Sequence, residues 1–108
     1  FGGNFPAWLA PVQAVLTPIS EHQLDYAHEA AAKLRAAGLR IDVDESNEKL
    51  GYKIRHWKTQ KVPFILVVGK TEAADGTVNV NERGNETKRT VPVDAFAAEL
   101  RQIVDARR

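Results

Sequence analysis

The sequence of 108 residues contains no cysteine, no methionine and only two serines. The absence of cysteine excludes disulfides, thiol catalysis and cysteine-ligated zinc, and it fits a cytoplasmic protein. The serines, Ser20 and Ser46, are each placed to cap a helix, so a serine nucleophile is not expected. Because the chain lacks an initiator methionine, we expect a domain from a longer protein.

Long apolar segments are also missing from the sequence. No run approaches the roughly 18 residues that cross a membrane, and residues 1–6 lack the basic and apolar regions of a signal peptide. Hydrophobic residues make up 44% and charged residues 27% of the chain, as in ordinary globular domains. The sequence therefore predicts a single domain without a membrane partner.

Patterns that indicate catalysis or cofactor binding are weak as well. The tripeptide at residues 69–71 (GKT) ends like a phosphate-binding loop, but Phe64 stands where that motif requires glycine, so a polar turn is expected. The three histidines share no metal-ligand spacing. The acids at residues 42–48 are explained by the dipole of the helix that follows. We expect no catalytic group, cofactor or metal in this domain.

Hydrophobic periodicity predicts the element order β-α-β-α-β-β-β-α. The predicted strands are Val12–Ile19, Leu39–Val43, Val62–Val68, Thr77–Asn81 and Thr87–Val91, and the predicted helices run from 20 to about 37, from about 47 to 62 and from 92 onward. Gln23 completes a capping box with Ser20, and Gly38 is expected to end the first helix in the left-handed conformation. Two strand–helix units impose parallel neighbours, whereas the later hairpins impose antiparallel ones. The predicted fold class is α/β, with three layers (α/β/α) and a five-stranded mixed sheet.

The helix predicted within residues 47–61 is strongly basic and contains one acid. Lys49, Lys53 and His56 lie at positions i, i+4 and i+7, which predicts a cationic flank. Tyr52 lies outside the apolar stripe of this helix and is expected to be exposed. Polar groups follow it at Glu72, Asn79, Asn81, Arg83 and Asn85. Cations, amides and an aromatic together favour binding of single-stranded RNA, and the alternative is an ordinary solvated helix face.

Three segments resemble a known family. Phe5–Gln13 (FPAWLAPVQ) is similar to the junction at which the catalytic domain of threonyl-tRNA synthetase passes into its anticodon-binding domain. Asn47–Arg55 (NEKLGYKIR) and Lys61–Gly69 (KVPFILVVG) resemble the second helix and the third strand of that domain. The resemblance spans essentially the whole chain and implies the anticodon-binding fold of class II synthetases. It divides the chain into a lead-in, residues 1–10, and an anticodon-binding domain, residues 11–108.

The same resemblance implies a function. The domain is expected to bind the anticodon stem-loop of threonine tRNA, and not DNA, while a separate domain attaches the amino acid. The class II signature motifs do not occur in this sequence, so this chain alone is not expected to be an enzyme. The parent protein resembles an ATP-dependent threonine–tRNA ligase, with zinc and a homodimeric assembly implied. The alternative is a free-standing paralogue that acts as an RNA- or protein-binding accessory subunit.

The resemblance also indicates residues that contact RNA. The matching positions are Asn47, Lys49, Arg55, Lys61 and Glu72. The amide and the acid of this set are expected to read base edges, and its cations to hold phosphate or base oxygens. The family usually has a base-reading arginine where this chain has Asn81. Arg83, two residues on, is expected to point to the same face and is the candidate substitute, so both are included.

Overall fold

A computed structural model describes residues 7–83 and 88–106, and the predictions for the other residues lie outside the described part. The strands are β1 (Ala14–Pro18), β2 (Ile41–Val43), β3 (Phe64–Val68), β4 (Thr77–Glu82) and β5 (Arg89–Pro92). The helices are α1 (Leu24–Ala36), α2 (Leu50–Thr59), α3 (Lys70–Asp75) and α4 (Val93–Asp105), with short 3-10 helices at Ala7–Leu9 and Glu21–Gln23. The predicted order is confirmed, with α3 as an addition.

The strands form one mixed sheet in the order β2-β1-β3-β4-β5. β1 pairs in parallel with both β2 and β3, whereas β4 is antiparallel to β3 and β5 is antiparallel to β4. The connection from β1 to β2 runs across the sheet in the opposite direction to the connection from β2 to β3. Because such crossovers are right-handed, α1 and α2 lie on opposite faces of the sheet. The prediction of a five-stranded mixed sheet is confirmed.

Each face of the sheet has its own hydrophobic cluster. The larger cluster joins the sheet to α1 and α4, with Leu34, Leu66, Phe96 and Leu100 among its fully buried members. The smaller cluster contains Val15, Val62 and Ile65, and Ile54 and Trp57 pack against it from α2. The two clusters make the fold three-layered. Burial of apolar surface stabilises a fold by about 25 cal/mol per Å² removed from water, and these two clusters are therefore the main source of stability.

Local signals on either side of α1 act as predicted, although the capping box belongs to the 3-10 helix Glu21–Gln23 that leads into α1. The Oγ of Ser20 accepts a hydrogen bond from the His22 amide at 3.3 Å, and the Oε1 of Gln23 accepts one from the Ser20 amide at 3.2 Å. This capping box satisfies amides that no helical carbonyl can reach. Gly38 follows α1 with φ of +84°, a conformation that favours glycine.

Two local predictions are wrong. Residues 69–71 begin the helix α3 instead of forming a polar turn, because the Oε1 of Glu72 accepts the Gly69 amide at 2.8 Å and Gly76, at φ of +71°, ends the helix. α2 begins at Leu50 and not near residue 47. Ser46 is not its cap, since the Ser46 amide donates to Asp44 Oδ1 at 2.9 Å and holds that residue in the preceding loop.

Candidate nucleic-acid interface

One half of the sheet carries polar side chains on the face that α2 shares. Val78 and Val80 of β4 point into the larger cluster, so the alternate residues Asn79 and Asn81 point to the opposite face. The Nδ2 of Asn81 donates to the Oδ1 of Asn79 at 3.2 Å and to the Ile65 carbonyl at 3.3 Å. We call Asn79, Asn81 and Thr90 the amide ladder, because the Nδ2 of Asn79 in turn donates to Thr90 Oγ1 at 3.2 Å.

The three members of the amide ladder differ in how far they are exposed to solvent. Asn81 is only 9% exposed, and its NH2 group is used within the protein. Asn79 is half-buried, and Thr90 is exposed at the paired position on the neighbouring strand. Hydrogen bonds between them fix the direction of each amide. Fixed amides can read base edges, because each presents a defined donor and acceptor.

Lys61 and Arg83 lie together where β4 ends. The Nη1 of Arg83 donates to the Lys61 carbonyl at 2.7 Å, and the Arg83 amide donates to the Pro63 carbonyl at 2.8 Å. Lys61 has φ of +59°, a left-handed conformation that costs a non-glycine residue energy. The guanidinium contact offsets that cost, and the side chain of Lys61 remains exposed. Two cations therefore lie at one end of the strand that carries the amide ladder.

Asn47 and Lys49 are brought together on a cleft of about 330 Å³ at the carboxyl ends of β1 and β2. Both side chains are exposed. Ser20, Glu21 and Lys53 also line the cleft. In open α/β sheets, ligands often bind beyond the carboxyl ends of parallel strands, and the cleft has that position. Its lining is mixed in charge, because Glu21, Asp44, Glu45 and Glu48 accompany Lys49 and Lys53.

Lys53 is not on the exposed cationic flank, and the prediction for it is wrong. It is 3% exposed, and its Nζ donates to the Pro18 carbonyl at 3.0 Å. Asp44, 8% exposed, accepts the Trp57 indole N–H at 2.7 Å through Oδ2. Burial of Asp44 opposes its ionisation, but hydrogen bonds from Ser46 and Trp57 and the charge of Lys53 together lower its pKa. A buried ammonium is stable only with such partners.

The remaining candidates are separate from these groups. Arg55 is exposed on α2, one turn beyond Tyr52, whose 54% exposure confirms that it points away from the core. Glu72 is half-buried, and one carboxylate oxygen caps α3. The carboxylate of Glu72 also acts on Tyr26: burial of the Tyr26 hydroxyl, and then the negative charges of Glu29 and Glu72, raise the pKa of Tyr26 to about 12. The capping role means that substituting Glu72 affects α3 as well as any RNA contact.

Sequence reasoning did not identify two parts of this surface. Thr90 joins the amide ladder through the register of β4 against β5, which pairs it with Asn79 and which no local pattern specifies. Asp44 was interpreted as one acid of the helix dipole, whereas its carboxylate is bonded to Trp57, thirteen residues away. The acid and the indole are both visible in the sequence, but their meeting depends on how α2 packs on the sheet.

The described residues, 7–83 and 88–106, meet neither the requirements of a metal-binding group nor those of a membrane-spanning helix. None of their His, Cys, Asp and Glu side chains form a group of three or more that could hold a metal ion. No helix among them is long and apolar enough to cross a membrane.

Comparison with known proteins defines the class of this domain. The family model described as "Anticodon binding domain" matches residues 13–103, which is most of the chain. A threonine–tRNA ligase of Novosphingobium aromaticivorans is 50% identical over 94% of this chain, and one of Thermus thermophilus is 51% identical over 89%. The chain spans only 15% of the length of each of these relatives.

Solved structures agree with the sequence relatives. The RNA binding domain of threonyl-tRNA synthetase from Cryptosporidium parvum has a TM-score of 0.90 at 28% identity, over 94% of this chain and 26% of that one. The prolyl-tRNA synthetase of the same organism has a TM-score of 0.83 at 28% identity, over 94% of this chain and 22% of its own. The chain belongs to the anticodon-binding domain family, and within it to the threonyl-tRNA synthetase type.

Proposed function

We propose that this chain binds the anticodon stem-loop of threonine tRNA and holds it while a separate domain attaches the amino acid. The observation that carries the proposal is the amide ladder on the α2 side of the sheet, with Lys61 and Arg83 at one end of it. Unpaired bases of an RNA loop expose the edges that such amides read, and cations beside them attract the phosphates. Membership of the threonyl type supports threonine tRNA as the ligand.

Each candidate residue has a role in this proposal. Asn47 and Glu72 read base edges. Asn81 contributes by orienting the side-chain amide of Asn79 through a hydrogen bond. The cations hold phosphate or base oxygens; they are Lys49, Arg55, Lys61 and Arg83. Of the two replacements for the usual family arginine, Arg83 is the cationic one, and its attachment to Lys61 fixes it at the strand end.

The lead-in is proposed to connect this domain to a catalytic domain of a longer ligase. Arg40 Nε donates to the Ala10 carbonyl at 2.8 Å and Arg40 Nη2 to the Trp8 carbonyl at 2.9 Å, so the described part of the lead-in is fixed to the sheet. ATP, zinc and the homodimer contact of the resemblance would belong to that other part, in the cytoplasm. A free-standing accessory subunit stays the alternative, and the coding sequence upstream of Phe1 distinguishes the two.

The proposal is tested by titrating the chain against a labelled anticodon stem-loop at several salt concentrations. Lys49→Ala should weaken binding and reduce the magnitude of the salt slope by roughly 0.7, the contribution of about one phosphate on a single strand. Lys33→Ala is the matched control, because it removes the same charge from the exposed side of α1 on the opposite layer. Equal effects of the two substitutions would reduce the interaction to general electrostatic attraction.

Glu72 needs a substitution that separates its two roles. Glu72→Gln keeps an oxygen that can accept the Gly69 amide and cap α3, but removes the charge. We expect it to change the preference among anticodons while leaving the unfolding transition almost unchanged. Unaltered preference among anticodons would remove Glu72 from the base-reading set.

A further inference from the structure

The loop that presents Asn47 and Lys49 is anchored on both sides by one carboxylate. Asp44 Oδ1 accepts the Ser46 amide at 2.9 Å, and Asp44 Oδ2 accepts the Trp57 indole N–H at 2.7 Å. The first contact fixes the start of the loop, and the second fixes the helix into which the loop leads. Asp44 is itself buried and directly follows β2, so both hydrogen bonds hold the loop in a fixed position relative to the sheet.

The start of α2 has no side-chain cap of its own. Lys49 is the N-cap residue, and its side chain makes no capping hydrogen bond. The usual capping side chains would have fixed this end of the helix locally. In their absence, the contact between Asp44 and Trp57 is a side-chain hydrogen bond that ties the loop to α2, beside the backbone bond from the Lys53 amide to the Lys49 carbonyl.

Two further contacts hold α2 and the loop to the rest of the fold. Lys53 Nζ donates to the Pro18 carbonyl at 3.0 Å, which ties α2 to the carboxyl end of β1. His28 Nε2 lies 2.6 Å from Glu45 Oε1 and links α1 to the loop, although both side chains are about half exposed. Since exposed pairs contribute little, the buried contacts carry the positioning.

We propose that Asp44 and Trp57 are positioning residues that hold residues 46–49 in the conformation that receives RNA. They act through Asn47 and Lys49 and do not contact RNA themselves, and the inference rests on the proposed function. An interface loop that is ordered before binding loses less conformational entropy when the ligand arrives. Loosening this loop therefore weakens RNA binding even when the domain stays folded.

Trp57→Phe tests the inference, because it removes the indole N–H and keeps an aromatic ring against the smaller cluster. At a temperature well below unfolding, we expect roughly five- to tenfold weaker binding of the anticodon stem-loop. Hydrogen exchange of the Ser46 amide should become faster in the free protein. Phe96→Leu is the control, since it perturbs a residue 1% exposed in the opposite layer and should lower stability without changing affinity.

A double-mutant cycle separates positioning from direct contact. In a Lys49→Ala background, Trp57→Phe should cost less affinity than it does alone, because part of the contact that it positions is already lost. Fully additive losses, or Ser46 exchange that does not change, would overturn the inference. If Lys49→Ala weakens binding and Trp57→Phe does not, the inference fails while the proposed function stands.

A failure of the proposed function itself would be seen with the unmodified chain. If the unmodified chain does not bind the stem-loop, the proposed function fails first and the positioning role fails with it. If Trp57→Phe does not fold, Asp44→Asn provides the same test, because an amide offers one acceptor oxygen where the carboxylate offers two. Unchanged affinity of folded Asp44→Asn would then overturn the inference.

Discussion

Replacing the buried amine of Lys53 is the most direct test of the α2 side of the fold. Lys53→Met removes the ammonium and keeps an unbranched apolar side chain in a site that is 3% exposed. The Pro18 carbonyl then loses the donor that lies 3.0 Å away. Asp44 loses a nearby positive charge but keeps its hydrogen bonds to Ser46 and Trp57.

The expected cost follows from these contacts. A hydrogen bond that involves a charged group contributes about 1.5 to 3 kcal/mol. Relief of the penalty for burying the ammonium offsets part of that contribution. We therefore expect the free energy of unfolding to fall by about 1.5 kcal/mol, because one buried acceptor is left without its donor. For a domain of this size that corresponds to a melting temperature lower by roughly 6 to 12 °C.

Urea unfolding followed by circular dichroism measures this difference. Lys58→Met is the matched control, because the same chemical change is made on the exposed side of the same helix. It should change the free energy of unfolding by no more than about 0.5 kcal/mol. Equal stability of the two variants, or a Lys53→Met variant more stable than the parent chain, would refute the stabilising role of the buried amine.

Three further changes test other parts of the structure. Asp44→Asn should make stability depend less on acid. The lowered pKa of Asp44 contributes stability above the usual value of 3.8, and this contribution is lost as the pH falls through the folded-state pKa. Urea unfolding measured from pH 6 to 2 should therefore show a smaller decrease in the free energy of unfolding for the variant than for the parent chain. Glu72→Ala should lose about 1 kcal/mol of stability through the uncapped Gly69 amide, with faster exchange of that amide, whereas Glu72→Gln should lose less. Gly38→Ala should cost about 1 to 2 kcal/mol in thermal unfolding, because φ is +84° there; an unchanged melting temperature would contradict that conformation.

Features of the fold with local causes were predictable from the sequence. The apolar runs of β1 and β3, the Ser20 capping box and the Gly38 helix end depend on neighbouring residues, and the structure confirms them. α3 also had a local signal, with Glu72 at the third helical position and Gly76 after the last turn. The resemblance of residues 69–71 to the end of a phosphate-binding loop obscures this helical signal.

Features of the site that depend on distant contacts were not predictable. The burial of Lys53 requires the Pro18 carbonyl, 35 residues away, and helical spacing alone places that lysine on the cationic flank. The side-chain NH2 of Asn81 is held by the Ile65 carbonyl on the neighbouring strand and by Asn79 on its own strand. Sequence patterns identify residue types suited to RNA, whereas strand register and helix packing determine which of them are presented.

The central claim is tested most directly by comparing two stem-loops on the unmodified chain. One carries the threonine anticodon, and the other differs only in its second and third anticodon bases. Because lost base contacts cost about 1 to 3 kcal/mol each, we predict at least about tenfold weaker binding of the altered loop at the same salt concentration. Equal dissociation constants for the two stem-loops would contradict anticodon recognition by this domain.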